Sequence, residues 1–89
     1  MIEVRLEIVN RLGLHARAAA KFVTLAGRFE SSVELELAGQ LANGKSIMAV
    51  MMLAARQGMM LGVSVDGADE ADAVQQLSEL VANRFGEPE

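Results

Sequence analysis

No cysteine occurs in these 89 residues. Disulfide staples, thiolate zinc sites and cysteine nucleophiles are thereby excluded, and the lack of thiols fits a reducing compartment. Trp and Tyr are absent and only three Phe are present, which leaves no stacking platform for nucleobases. A net charge of −4 disfavours general nucleic-acid binding, whose affinity comes largely from neutralising phosphates. No apolar run reaches the ~18 to 20 residues that a membrane span requires. Met1–Arg5 lacks the basic region and apolar stretch of a signal peptide. Histidine occurs once, and with no second His, no Cys and no carboxylate near it in sequence, a metal centre at this residue is disfavoured. The expectation is a cytoplasmic chain with no metal, no cofactor, no nucleic-acid partner and no membrane insertion.

What is present is a large apolar fraction, 52% of the residues, enough to build a core without staples. The length suits one domain over 1–89 and is too short for two. Residues 2–9 alternate, with Ile2, Val4, Leu6 and Ile8 on one side and Glu3, Arg5 and Glu7 on the other. That period reads as a half-buried strand. Asn10–Gly13 reads as a loop. Ala19, Phe22, Val23 and Ala26 share a helical face, predicting a helix over 16–26 with Gly27 as a left-handed cap. Val33, Leu35 and Leu37 alternate with glutamates as a second strand. Ala38-Gly39 is a turn signal, a short strand follows over 40–42, and Asn43-Gly44 closes the hairpin.

Ser46 is a favoured N-cap ahead of Ile47–Ala55, predicting a second helix that ends near Gly58. Leu61, Val63 and Val65 make a fourth strand, stopped by Asp66-Gly67. A last helix is expected from about Asp69 to Arg84, with Val74, Leu77, Leu80 and Val81 as its buried stripe. Gly86–Glu89 reads as a frayed tail. The order β-α-β-β-α-β-α, with amphipathic strands, predicts an α+β fold in which helices cover one face of an antiparallel sheet.

The single histidine, His15, falls in Gly13-Leu14-His15-Ala16-Arg17, at the junction of loop and helix. The N-terminus of a helix offers free amides and a positive dipole end to an anion. Here those amides belong to Ala16, Arg17 and Ala18. Arg17 adds a planar guanidinium suited to phosphate oxygens, and Lys21 lies one turn further along. At neutral pH an imidazole is largely uncharged and is able to take a phosphoryl group as a labile N–P bond. Such transfer asks mainly for positioning and charge stabilisation. The competing assignment is that His15 is only a polar helix cap. Position and composition leave both open, and no nucleophile-elbow motif supports a Ser-His-Asp triad.

The segment Asn10-Arg11-Leu12-Gly13-Leu14-His15-Ala16-Arg17-Ala18-Ala19-Ala20-Lys21-Phe22-Val23 resembles the active-site segment of the HPr family, the histidine phosphocarriers of the bacterial phosphoenolpyruvate-dependent phosphotransferase system. Gly44-Lys45-Ser46-Ile47-Met48-Ala49-Val50-Met51-Met52-Leu53 resembles that family's regulatory serine segment. The resemblance spans the whole chain, including the Asp66–Ala73 junction. It implies an open-faced β-sandwich: a four-stranded antiparallel sheet with three helices on one face. It also implies a covalent carrier rather than an enzyme. His15 would take phosphate on Nδ1 from enzyme I and pass it to an enzyme IIA protein or domain, with Arg17 stabilising the phosphoryl group. Ser46 would be the target of an HPr kinase/phosphorylase.

By itself, Ser46 needs no role beyond capping its helix. Phosphate there would be compatible with the fold and would set about two negative charges beside an apolar patch. Ile47, Met48, Met51 and Met52 cannot all face the core of one short helix, so some are expected to be exposed and to dock partners. Ala20 and Thr24 on the first helix would border that surface. One departure stands out: the family commonly has Pro where this chain has Ala18, which keeps an N–H donor. Sugar uptake, a nitrogen-type relay and a regulatory circuit remain open as settings, and neither sugar nor downstream target is encoded.

The alternative function is a mainly regulatory interaction protein controlled at Ser46. A ligand-binding module without covalent chemistry would need an enclosed pocket that a two-layer domain of this size can hardly supply. A shuttle that presents one face to successive partners is most simply a monomer.

Overall fold

Strict alternation builds the sheet. The structure is a computed structural model that describes residues 1–89. Four strands, β1 (Ile2–Glu7), β2 (Ser32–Leu37), β3 (Gln40–Asn43) and β4 (Met60–Asp66), form one antiparallel sheet in the order β1-β4-β2-β3. Val33, Leu35, Leu37, Leu61, Val63 and Val65 are buried on one side of it, and Glu34 and Glu36 of β2 are exposed. Three helices, α1 (Ala16–Ala26), α2 (Ile47–Met52) and α3 (Glu70–Ala82), cover the apolar face. The result is the two-layer α+β fold that the pattern predicted, in the open-faced form that the family resemblance implied.

The helices enter the core by their periodic stripes. α1 buries Ala18, Ala19, Phe22 and Ala26, and α3 buries Ala73, Leu77 and Val81. These join the sheet residues in one contiguous cluster that also holds Ile8, Leu14 and Phe85. Phe22 and Phe85 are fully buried, each worth roughly 1.5 to 3 kcal/mol of transfer free energy. Val23, Val74 and Leu80 pack against the edge of the cluster rather than inside it.

Several boundaries differ from expectation. α2 stops at Met52, well before Gly58, because Leu53 turns inward and Ala54 adopts a left-handed φ of 55°. Gly27 is right-handed, with φ −66°, so α1 ends without a left-handed cap. The hairpin turn falls at Ala38-Gly39 as expected, with φ 51° and 84°, the pair of positive values that a primed two-residue turn requires. Asn43 is still in β3, paired with Glu34. α3 ends at Ala82 rather than Arg84. Arg84 and Phe85 take φ 56° and 53°, which breaks the helix into a single tight turn. That turn drops Phe85 into the core and redirects the last residues, so the expected frayed tail is instead tied down.

Asp69 is the N-cap residue of α3, but its side chain makes no capping bond. Its carboxylate accepts from Ser31 Oγ and from the backbone N–H of Ser31 and Glu30, at 3.0 and 2.9 Å for the two amides. The Ser31 hydroxyl, then the Glu30 amide, hold this carboxyl below the ordinary aspartate range. An acid with a lowered folded pKa stabilises the fold above its unfolded value. That contribution is lost as pH falls through the folded value. Asp69→Asn should therefore lower the melting temperature at neutral pH and shrink the difference between neutral and acid melting temperatures. Parallel melting curves for variant and parent at every pH would refute this.

Candidate functional site

The chain reaches His15 through a loop that leaves little freedom. Gly13 sits at φ 68°, and a Cβ there would fall 2.4 Å from the Ala55 carbonyl oxygen. Only glycine fits this approach. Leu14 N–H donates to that same oxygen at 2.9 Å, which fixes the loop against the α2–β4 connection. Asn10, fully buried, donates its Nδ2 to Gly13 O at 2.8 Å and to Glu87 Oε1 at 3.0 Å. Both neighbours are acceptors, so the amide points nitrogen-first, and its Oδ1 is left buried without a partner.

His15 follows as the N-cap of α1, in extended backbone and with no side-chain bond to the helix amides. Its carbonyl accepts from Ala19 N–H at 2.8 Å, the first helical bond. The N–H groups of Ala16, Arg17 and Ala18 precede it and have no intrahelical acceptor. Ala18 is completely buried and α1 is intact around it, so the helix needs no proline at that position. Arg17 is exposed and forms no ion pair within the chain. The imidazole itself is about a quarter exposed.

The C-terminal segment closes one side of this site. Glu87 Oε2 meets His15 Nε2. Glu89 pairs with the Arg11 guanidinium at 3.0 Å, and its carbonyl accepts from Arg11 N–H. Lys21 Nζ donates to Phe85 O at 2.6 Å, so this lysine, expected as a diffuse positive charge, tethers the tail as well. Burial alone would raise the Glu87 carboxyl. Hydrogen bonds from Asn10 and His15, with the charges of His15 and Lys21, outweigh it and hold the group below the usual carboxylate range. Arg11, Leu12, His15, Arg17, Glu87 and Pro88 line an open depression around the imidazole.

Sequence reasoning brought out His15, Arg17 and the three amides, and these do lie together. It missed Glu87 and Glu89, 72 or more positions away from His15. The one available signal was Phe85, an aromatic four residues beyond Val81 that a frayed tail would have left in water.

Ser46 caps α2: its Oγ accepts from Ala49 N–H at 3.3 Å. Lys45 beside it donates Nζ to Phe29 O at 2.7 Å. Val50 is the one buried residue within α2, while Ile47, Met48, Met51 and Met52 are all exposed, Met48 and Met52 by about two-thirds. Leu12, on the His15 loop, is 61% exposed. On α1, Thr24 is exposed and Ala20 half-buried.

A family model described as the phosphotransferase-system HPr component phosphorylation site matches residues 2–83. This chain belongs to the HPr family. A phosphocarrier protein HPr of Xylella fastidiosa is 52% identical over 87 residues, covering 98% of each chain. Among solved structures, an HPr from Thermoanaerobacter tengcongensis superposes with a TM-score of 0.96 at 43% identity, covering both chains completely. A second structure from that organism, described as an HPr dimer, gives a TM-score of 0.78 at 44% identity, covering 98% of this chain and 100% of that one. α1 packs against α2, and the Leu14–Ala55 bond ties the loop before α1 to the segment after α2. HPr proteins are phosphocarriers and not enzymes. No helix here is long and apolar enough to cross a membrane.

Proposed function

We propose that His15 is the phosphorylated residue, accepting a phosphoryl group from phospho-enzyme I and passing it to enzyme IIA proteins or domains in the cytoplasm. The observation that supports this most is the pairing at the head of α1. An accessible imidazole stands beside three amides without helical partners and an unpaired guanidinium. Together these groups suit a dianionic phosphoryl group. In the transfer, the Nδ1 lone pair forms the N–P bond while the donor's bond to phosphorus breaks and its electron pair leaves with the donor. The amides of Ala16, Arg17 and Ala18 and the Arg17 side chain stabilise the oxygens as they pass. The open depression suits a donor and an acceptor that are themselves proteins.

Ile47, Met48, Met51 and Met52, bordered by Ala20 and Thr24, form the docking surface for both partners in this reading. Flexible thioethers repack against differently shaped surfaces. The carrier works as a monomer, since each exchange needs the same face free. Ser46 is the regulatory site, modified by an HPr kinase/phosphorylase. A phosphate there would stand next to Ile47 and Met48 and would repel an acidic partner at the docking surface. The runner-up reading gives that regulation the main role, with the chain an interaction protein governed by Ser46.

Peptide mapping of radiolabel separates the two. With enzyme I and labelled phosphoenolpyruvate, label should appear on the His15 peptide, acid-labile and base-stable. With a kinase and nucleoside triphosphate it should appear, acid-stable, on the Ser46 peptide. Label confined to Ser46 with a competent enzyme I present would overturn the carrier reading. Label confined to His15 with a competent kinase would overturn the regulatory one.

A further inference from the structure

The contact between His15 and Glu87 joins residues that no local pattern relates. An ionised carboxylate only accepts hydrogen bonds, so the imidazole nitrogen facing it must carry the proton. Nε2 faces it. The other nitrogen, Nδ1, is then left with its lone pair free, and it makes no capping bond to the helix. We propose that Glu87 is a positioning residue for phosphoryl acceptance: its carboxylate holds His15 in the Nε2–H form, leaving Nδ1 as the nucleophile. The inference rests on the reading of His15 as the phosphorylated residue.

Chemistry gives the carboxylate a second task. When Nδ1 bonds to phosphorus, the donor's bond to phosphorus breaks and the donor keeps the electron pair. The proton on Nε2 stays in place, so the ring becomes cationic as the N–P bond forms. A carboxylate against Nε2–H offsets that charge from the side opposite the phosphoryl oxygens, which Arg17 and the helix amides serve. This is the logic by which a buried acid orients and supports a reacting histidine.

Glu87 is held where this requires. Its Oε1 takes the Asn10 amide at 3.0 Å, and its side chain is only 13% exposed. The segment carrying it is anchored on one side by Lys21 bound to Phe85 O and on the other by Arg11 paired with Glu89. The charged groups around the imidazole are thus Arg17 and Lys21 from α1, Arg11 from the loop, and Glu87 and Glu89 from the tail. Of these, Glu87 is the one hydrogen-bonded to the ring. Its lowered carboxyl pKa, set by burial opposed by the Asn10 and His15 hydrogen bonds, agrees with a group ionised at neutral pH.

Nitrogen NMR of isotope-labelled imidazole in the full chain tests this directly. Unphosphorylated parent protein, above the histidine titration, should show the Nε2–H form in large excess. Glu87→Ala should relax it towards the mixture of a free imidazole. Glu87→Gln, whose amide oxygen still accepts, should keep the tautomer but lose the charge. Acceptance of phosphate should slow about tenfold in Glu87→Ala and less in Glu87→Gln. A purely structural role for the tail would leave the tautomer unmoved, and that result in folded Glu87→Ala protein overturns the proposal. If the parent accepts no phosphate at all, the carrier reading fails, while the tautomer measurement still judges Glu87.

Discussion

Replacing His15 by alanine should abolish phosphate acceptance and leave the fold standing. The imidazole is the one nucleophile at the head of α1, and no second histidine exists to take its place. Loss of transfer should therefore reach the detection limit rather than a fractional value. The structural cost is small because His15 does not cap the helix with its side chain, and its backbone carbonyl bond to Ala19 survives the change. What is lost is the contact with Glu87, which is part-buried. Leaving that carboxylate with Asn10 alone should cost about 1 kcal/mol. That is a drop of about 4 to 8 °C in a domain of this size. Calorimetry and the label assay on the same sample check both halves. A variant that still accepts label would remove His15 from its role, and an unfolded variant would show that the imidazole holds the loop together.

Gly13→Ala carries the largest expected effect on stability. Two penalties combine. The left-handed φ of 68° costs a residue with a Cβ roughly 1 to 2 kcal/mol. The added atom would also lie 2.4 Å from Ala55 O and 3.0 Å from Arg56 Cα, both backbone atoms that cannot rotate away. Forced overpacking of that kind adds about 1 to 3 kcal/mol. The sum, about 2 to 5 kcal/mol, is a large share of the stability of a small domain. Gly39→Ala provides the comparison. Its φ of 84° is also left-handed, but nothing lies within 4 Å of the added Cβ, so only the first penalty applies. Gly13→Ala should accordingly melt well below Gly39→Ala. If the two melt together, the close approach to Ala55 is not what fixes this loop. Any Gly13→Ala protein that does fold should accept phosphate slowly, because the bond from Leu14 to Ala55 that aims His15 must lengthen.

The sheet was legible in the sequence because its signal is local. Ile2, Val4 and Leu6, like Val33, Leu35 and Leu37, alternate with charges, and each strand appears within a residue or two of its expected place. The head of α1 was legible for the same reason: the turn, the histidine and the helical stripe are contiguous. The end of α2 was not. Ile47–Ala55 is an unbroken apolar run, and nothing in its composition says that Ala54 will turn left-handed while Leu53 goes inward. Propensity disfavours such an alanine, and tertiary packing overrides propensity here. The tail was illegible for a different reason. Gly86-Glu87-Pro88-Glu89 has the composition of a mobile terminus, and its order comes from Asn10, Arg11, His15 and Lys21, far off in the chain. Ile47, Met48, Met51 and Met52 fell between these cases: exposure of some was predictable from the length of the helix, exposure of all four was not.

The strand order has a consequence for how the chain comes to be folded. β1 is made first but pairs only with β4, Ile2 lying opposite Val65. β4 is in turn the bridge between β1 and the β2–β3 hairpin. During synthesis the hairpin has its partner at hand, while β1 must wait, unpaired and half apolar, until residues 60–66 have emerged. Contacts this distant in sequence carry a loop-closure cost and slow the search. The residues of α3 and the tail, made after β4, are also the ones that seat Phe85 and bring Glu87 to His15. The site around residue 15 is thus finished only once residues 85–87 are in place, and a nascent chain short of them would carry the histidine without the carboxylate that faces it.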